Sequence, residues 1–526
     1  MRWTTLGAAV AVLSSSCDAV SFPRSTSGKG YLSVPIGTVD KPKKTKAHKR
    51  DEDETILATL ENMEFFYATD NVFGSPCETV EIGTPPQKVT VLVDTGSNEL
   101  WVNPDCQEAA SQTQFEMCES FGQYEPGKSR TPPIGPFGRE TLNYGDASDP
   151  STHTSATIRY YADTLTFGDA KLENQTFGVL VESNGISQGI LGLAPDLRGG
   201  FDSNEPYSLL LTSMADQGLI NSRVFALDLR HSDATEGAVI YGGIDRSKFI
   251  GELETVPIIR GEGGEYRLAV KLATLGMTLG DDSQEFDVDD DDSNVMLDSG
   301  TTLTRMHYAA ARPILEVLDA QDDGEGFYVT DCNNRDRNGT VDFGFGDKIV
   351  RVPFTDFILQ LGLGTCYIGL VTTTDQQILG DSVLRAGYFV FDWDNEEVHI
   401  AQAANCGDED IIAVGSGSDA VPSETGKCKE GDAQATGRAT MTDSPDKSSL
   451  PTEAYTTTYT ITSCPEFDRD CRTGVVTTQT VGPARPTVTV TAGANADDDD
   501  NAAWQSVPLG WVFTLIGAFA LGANLL

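Results

Sequence analysis

The chain has 526 residues, too many for one ordinary domain and enough for two core-bearing lobes with appendages. Its 37 Lys and Arg stand against 79 Asp and Glu, a formal charge of -42. A surface of that sign repels nucleic acid phosphates and anionic headgroups, which excludes nucleic acid as a partner and suits a soluble, acid-tolerant protein or one that attracts basic peptides.

The first residues read as an export signal. Arg2 gives the positive end, an apolar run covers Leu6 to Leu13, and Ala19 is a small residue at a cleavage position, so residues 1–19 are read as a signal peptide. Export would carry nine cysteines, from Cys77 to Cys471, into an oxidising compartment, with Cys17 leaving on the signal. Cys106 and Cys118 are near neighbours, as are Cys332 and Cys366, and local pairing is the economical expectation for both. The five His residues are scattered and no C-x-x-C pair occurs, so neither a metal nor another cofactor is expected.

Residues 20–50 read as a basic propeptide ending at the dibasic pair Lys49-Arg50. The first 50 residues hold nine basic side chains against two acidic ones, and the sign flips at Asp51-Glu52-Asp53-Glu54. Two readings stand side by side. The segment lies over an acidic cleft, held by ion pairs that weaken when acid protonates the carboxylates, or it is a disordered basic leader.

From about Thr79 to Ala403 the sequence is a series of short apolar runs broken by Gly, Asp and Asn. Val89 to Val93, Thr164 to Phe167, Val179 to Val181, Val224 to Leu229, Ala238 to Tyr241, Val295 to Leu297 and Tyr388 to Phe391 predict strands. Helical spacing predicts short helices around Tyr207 to Gln217 and Tyr308 to Leu318. The protein is therefore mainly β, with an N-terminal lobe over 51–257 and a C-terminal lobe over 258–405.

Beyond Cys406 the composition turns to Ser, Thr, Pro and Gly, which cannot build a core, so 406–492 is read as a glycosylated stalk. Residues 493–526 have the layout of a glycosylphosphatidylinositol (GPI) anchor signal. Small residues at Gly493 and Asn495 offer attachment points, Asp497 to Asp500 form a polar spacer, and Val507 to Leu526 form an uncharged apolar tail. The alternative is a transmembrane helix. Asn174-Gln-Thr and Asn338-Gly-Thr are acceptors for N-linked sugar.

The chemistry lies in a short repeat. Val91-Leu-Val-Asp94-Thr-Gly-Ser97 recurs as Val295-Met-Leu-Asp298-Ser-Gly-Thr301, and Ile190-Leu-Gly192 recurs as Ile378-Leu-Gly380. One Asp-x-Gly is an ordinary turn. Two of them, each closing an apolar strand and each followed by the same Ile-Leu-Gly, mark two related halves. Two strands can bring two carboxylates to one point, where like charges cannot both ionise, so one holds a proton and the other does not. Gly96 and Gly300 permit close backbone approach, and the flanking hydroxyls of Thr95, Ser97, Ser299 and Thr301 can bond the carboxylates.

With Glu81-Ile-Gly-Thr-Pro-Pro-Gln, Trp101, Gly189-Ile-Leu-Gly-Leu-Ala and Ile240-Tyr-Gly-Gly-Ile-Asp, these phrases make the chain resemble the pepsin-like aspartic proteases. The resemblance covers roughly 79–403 and, through the stalk and tail, is closest in layout to the anchored fungal yapsins. It implies a bilobal, mainly β fold with the active site between two related lobes, and catalysis by Asp94 and Asp298. It also implies that Thr95 and Ser299 cross-link the active-site loops, that Ser97 and Thr301 bond the outer carboxylate oxygens, and that Trp101 supports a flap tyrosine. The flap departs from the family pattern: Tyr144-Gly145 is followed by Asp146-Ala147, and Tyr160 and Tyr161 are rivals to Tyr144. A monomeric, acid-working enzyme on peptide or protein substrates follows. Asp146, Asp149 and the Asp287 to Asp292 run would favour Lys or Arg in the substrate. The rival reading is a catalytically silent wall-binding protein on the same fold.

Overall fold

The apolar triplets before Asp94 and Asp298 become the ends of two buried strands, Gln87–Asp94 and Asn294–Leu297, and each leads straight into its Asp-x-Gly loop. The computed structural model describes residues 26–37, 77–431 apart from short loop stretches, and three strands further on.

In the first half, Gln87–Asp94 pairs in parallel with Gly189–Gly192, Asp94 lying opposite Gly192. That strand in turn lies antiparallel to Leu100–Val102. In the second half, Asn294–Leu297 pairs in parallel with Gln377–Leu379, which meets Thr304–His307 antiparallel through Arg305 and Ile378. The two repeated phrases are thus the two parallel partners of one arrangement made twice. The glycine closing each Ile-Leu-Gly strand is required by crowding. A Cβ on Gly192 would stand 2.4 Å from the backbone of Asn98, and one on Gly380 would stand 2.3 Å from the Thr301 carbonyl.

Between the halves runs a continuous antiparallel platform: Phe249–Pro257, Glu397–Ala403, Gly387–Asp392, Val224–Asp228, Glu236–Tyr241 and Tyr31–Gly37, in that order. Its alternating side chains feed two cores. Phe225, Leu227, Phe389 and Phe391 face the larger one, and Val224, Ala226, Tyr388 and Val390 the smaller. Every run read as a strand lies in one, save that the run from Val224 ends at Asp228 and leaves Leu229 outside, and helices occupy Leu210–Asp216 and Tyr308–Val317, where the apolar spacing predicts them.

Two segment readings are corrected. Residues 26–37, inside the stretch read as a propeptide, neither wander as a leader nor lie across a cleft. They form a hairpin whose second strand, Tyr31–Gly37, pairs with Glu236–Tyr241 and buries Leu32, Val34 and Ile36. Alternation of apolar residues in Tyr-Leu-Ser-Val-Pro-Ile was the signal, masked by the basic residues around it. Lys49-Arg50 lies outside the described residues, as do 1–19.

The stalk does not begin at 406. Cys406 is bonded to Cys428, Ile411–Ala413 pairs with Gly243–Asp245, and Thr425–Lys427 extends the platform beside Phe249–Pro257. Arg246 bridges Asp410 at 2.8 Å and Glu424 at 2.9 Å, and Val414 and Ala420 are buried. The folded body thus runs about 20 residues further than composition suggests, because pairing to preformed strand edges supplies a core this segment lacks alone. A separate unit from Thr440 onward contains a three-stranded antiparallel sheet of Tyr455–Thr460, Val476–Val481 and Thr487–Val490. Gly493, Asn495 and the apolar tail lie outside the described residues.

Candidate active site

The two Asp loops meet at their tips. Thr95 Oγ1 donates to the Leu297 carbonyl at 2.7 Å, and Ser299 Oγ donates to the Val93 carbonyl at 2.7 Å. The Ser299 N–H donates to Thr95 Oγ1 at 2.9 Å, and the Thr95 N–H to Ser299 Oγ at 3.2 Å. Each hydroxyl both donates and accepts, so four bonds tie strands about 200 residues apart into one rigid floor, fully buried at both side chains.

Above the floor each carboxylate is held in the same way. The Gly96 N–H donates to Asp94 Oδ1 at 2.7 Å and Ser97 Oγ donates to Asp94 Oδ2. The Gly300 N–H donates to Asp298 Oδ1 at 2.8 Å and Thr301 Oγ donates to Asp298 Oδ2 at 2.7 Å. A Cβ on Gly96 would sit 2.5 Å from the Asp298 carboxylate, and one on Gly300 would sit 2.4 Å from that of Asp94. Only glycine lets the carboxyls approach. Both are nearly buried. Burial first, and the facing charge of Asp298 second, push Asp94 well above the ordinary carboxylate range, against the bonds from Ser97 and Gly96. The pair therefore retains a shared proton where isolated carboxylates have none.

A long hairpin, Ile134–Tyr144 and Thr154–Phe167, ends beside this pair. At its tip Trp101 Nε1–H donates to the Tyr144 oxygen at 2.9 Å. Burial first, and then the neighbouring Asp94 carboxyl, hold the Tyr144 hydroxyl in its neutral form. Of the three candidate tyrosines, Tyr144 is thus the one joined to Trp101. Tyr160 and Tyr161 pack along the hairpin instead, Tyr160 against Trp101 and Ile190, and Tyr161 against the larger core. Asp146 and Asp149 lie outside the described residues.

Two acids of the Asp287 to Asp292 run are engaged elsewhere. Asp290 pairs with Lys271 at 2.9 Å, and the largely buried Asp292 bonds His307 Nδ1 at 2.8 Å. Cys106 is bonded to Cys118, and Cys332 to Cys366. Asn174, at φ 52°, and Asn338 are both exposed.

Sequence reading missed two residues at the site. Arg267, from the strand Tyr266–Lys271, crosses between lobes to donate to the Gly96 carbonyl at 2.7 Å. Glu99, two residues beyond Ser97, is nearly buried and accepts the Tyr207 hydroxyl. A carboxylate inside an otherwise apolar phrase, Glu-Leu-Trp-Val, was the available signal for the second. Nothing local announces the first.

Two related halves, each delivering one hydrogen-bonded carboxyl to a shared, nearly dry point under a hairpin, define a bilobal hydrolase of the paired-aspartate class. Residues 77–403 match the family described as Eukaryotic aspartyl protease. The chain is 30% identical over 407 residues to Candidapepsin-1 of Candida albicans, covering 73% of this chain and 93% of that one. To secreted aspartic protease 3 of the same species it is 31% identical over 368 residues, 66% of this chain and 82% of the relative. To the Aspergillus fumigatus protein named "Probable aspartic-type endopeptidase opsB" it is 29% identical over 392 residues, 72% and 77% of the two. This chain belongs to the eukaryotic aspartyl protease family and is an aspartic-type endopeptidase.

Proposed function

We propose that Asp94 and Asp298 are the catalytic pair and that they hydrolyse peptide bonds by activating water. The observation carrying this reading is the facing of two nearly buried carboxyls fixed by equivalent bonds, each so close to the other loop that only glycine fits there. In this reading Asp94, raised by burial, is assigned the proton, which leaves Asp298 to act as the base. Asp298 takes a proton from a bound water as the water oxygen attacks the scissile carbonyl carbon. Asp94 gives its proton to the carbonyl oxygen. When the C–N bond breaks, the proton held by Asp298 passes to the leaving nitrogen and the diol returns one to Asp94, so no covalent enzyme intermediate forms. Tyr144, held by Trp101, closes over the substrate, an extended peptide between the lobes.

One shared proton is needed at the start of each cycle, so activity is lost as pH climbs through the raised Asp94 value. The kinship with proteins named as secreted, together with the leader and tail of the sequence, supports secretion and attachment to the outer face of the plasma membrane through a GPI anchor near Gly493 or Asn495. The catalytic part works as a monomer that keeps Tyr31–Gly37 in its platform. A preference for Lys or Arg in the substrate rests on Asp146 and Asp149, which follow Tyr144 in the sequence.

Asp94→Asn, assayed on an unstructured protein between about pH 3 and 6, tests the pair: at least a thousandfold loss is expected, and activity surviving the change sinks it. Equal cleavage of a peptide library after Leu or Phe and after Lys or Arg would remove the basic preference. Release from cells by a phosphatidylinositol-specific phospholipase tests the anchor.

A further inference from the structure

Four side chains beside the dyad form a line that the peptidase mechanism does not use. Tyr160 Oη donates to Glu140 Oε2 at 2.9 Å, Tyr207 Oη lies 3.3 Å from Tyr160 Oη, and Tyr207 Oη donates to Glu99 Oε1. The rings of Tyr160 and Tyr207 pack with centroids 5.1 Å apart. The line joins both strands of the hairpin, through Glu140 and Tyr160, to the loop that carries Asp94, through Glu99. Burial and the neighbouring Glu99 keep both phenols neutral, so each supplies one hydrogen and no more.

Counting hydrogens exposes a shortage. Three oxygen-to-oxygen contacts need three hydrogens, and two phenols bring two when both carboxylates are ionised. One contact, the long one between the phenols, is then left without a hydrogen. A single added proton on either terminal carboxyl fills it. If Glu140 takes the proton, it donates to Tyr160, Tyr160 to Tyr207 and Tyr207 to Glu99. If Glu99 takes it, every bond points the other way. The end at Glu140 is exposed, so solvent can deliver the proton there. The other charged or titratable groups around the line are Tyr144 and Asp94 on the dyad side, and Arg139, Arg159 and Glu182 along the hairpin, where Arg139 pairs with Glu182 at 3.4 Å.

We propose that Tyr160 and Tyr207 are positioning residues that latch the hairpin to the catalytic loop through a Glu140–Tyr160–Tyr207–Glu99 chain, and that one proton shared by the terminal carboxyls completes the latch. The dyad holds its own proton well above the ordinary carboxylate range, so acid has a separate role here: it fastens the hairpin that covers the dyad.

The test uses the secreted full chain and a quenched-fluorescence peptide that the wild type cleaves, with kcat and KM measured from about pH 3 to 7 and each variant expressed as a ratio to wild type. Tyr207→Phe removes one phenol without changing the ring packing. It is expected to raise KM about fivefold at the acid end, the effect of losing one hydrogen bond, with kcat within about twofold. The ratio is expected to shrink towards neutral pH, where the wild-type latch is itself incomplete. Glu140→Gln gives the opposite signature. Its amide donates to Tyr160 at every pH, so KM should stay low to higher pH than in the wild type. KM ratios that do not change with pH in either variant, or a kcat loss as large as that of Asp94→Asn, would overturn the latch.

Discussion

The Thr95 hydroxyl and the Ser299 backbone are bonded at 2.9 Å across the junction of the two halves, and the Ser299 hydroxyl returns a bond from the Thr95 N–H at 3.2 Å. No water reaches either side chain. Thr95→Val keeps the shape and removes the oxygen, leaving the Ser299 N–H and the Leu297 carbonyl buried without partners. Orphaning those two groups is expected to cost about 2–4 kcal/mol. Thr95→Ser restores the oxygen and should recover most of it. The melting temperatures of the three proteins, compared at one pH, check the order wild type, Thr95→Ser, Thr95→Val.

Gly96→Ala tests proximity instead of bonding. A methyl group there would sit 2.5 Å from the Asp298 carboxylate, well inside van der Waals contact, so the carboxyl or its loop must shift. Displacement by about an ångström is enough to cost two orders of magnitude in rate. The expected result is a fall of at least about a hundredfold in kcat with a folded protein, checked by kinetics alongside circular dichroism. Near-normal turnover would mean the two carboxyls are further apart in the working enzyme than they are here.

The parts of this site visible in the sequence are those that the chain states twice. Asp94 and Asp298, their glycines and their hydroxyls appear as one phrase repeated. The strand that each phrase pairs with appears as a second repeat, and the pairing of Asp94 with Gly192 is the geometric reason both exist. Arg267, Glu99 and Tyr207 occur once, and their partners lie 171 residues away for Arg267 and 108 for Tyr207, so no local pattern reports them. The same holds for the ends of the body. Tyr31–Gly37 and Thr425–Lys427 are strands because they find open edges made by distant segments. Composition near them reads as leader and stalk because composition is local and edge pairing is not.

The dyad also sets how stability varies with pH. Asp94 is raised in the folded protein above its unfolded value of about 4. A raised carboxyl contributes stability that is fully present below the unfolded value and is lost as pH climbs through the folded one, because the folded state then holds a proton that the unfolded state has given up. The melting temperature should therefore fall as pH rises from about 4 towards alkaline values. Asp94→Asn removes one of the two facing carboxyls, so its melting temperature should decline less over the same range. Parallel curves for the two proteins would show that the pair carries no such linkage.

Asp410 has the opposite sign and sits where the folded body ends. Lys427 at 2.6 Å and Arg246 at 2.8 Å hold its carboxyl below the ordinary range, Lys427 contributing most. A lowered carboxyl gives stability that is present above its unfolded value and is lost as pH falls through the folded one. The group is partly exposed and its ion pairs are screened, so the effect is small, about 1–2 °C in melting temperature. Asp410→Asn should show that deficit at pH 6, and the deficit should shrink as pH falls and the wild-type carboxyl takes up its proton. High salt at pH 6 should shrink the deficit in the same way. A deficit that persisted unchanged in acid and in salt would mean that the Asp410 side chain holds the Cys406–Cys428 segment by something other than charge, since the backbone N–H that donates to Asp245 Oδ1 at 2.8 Å is kept in the variant.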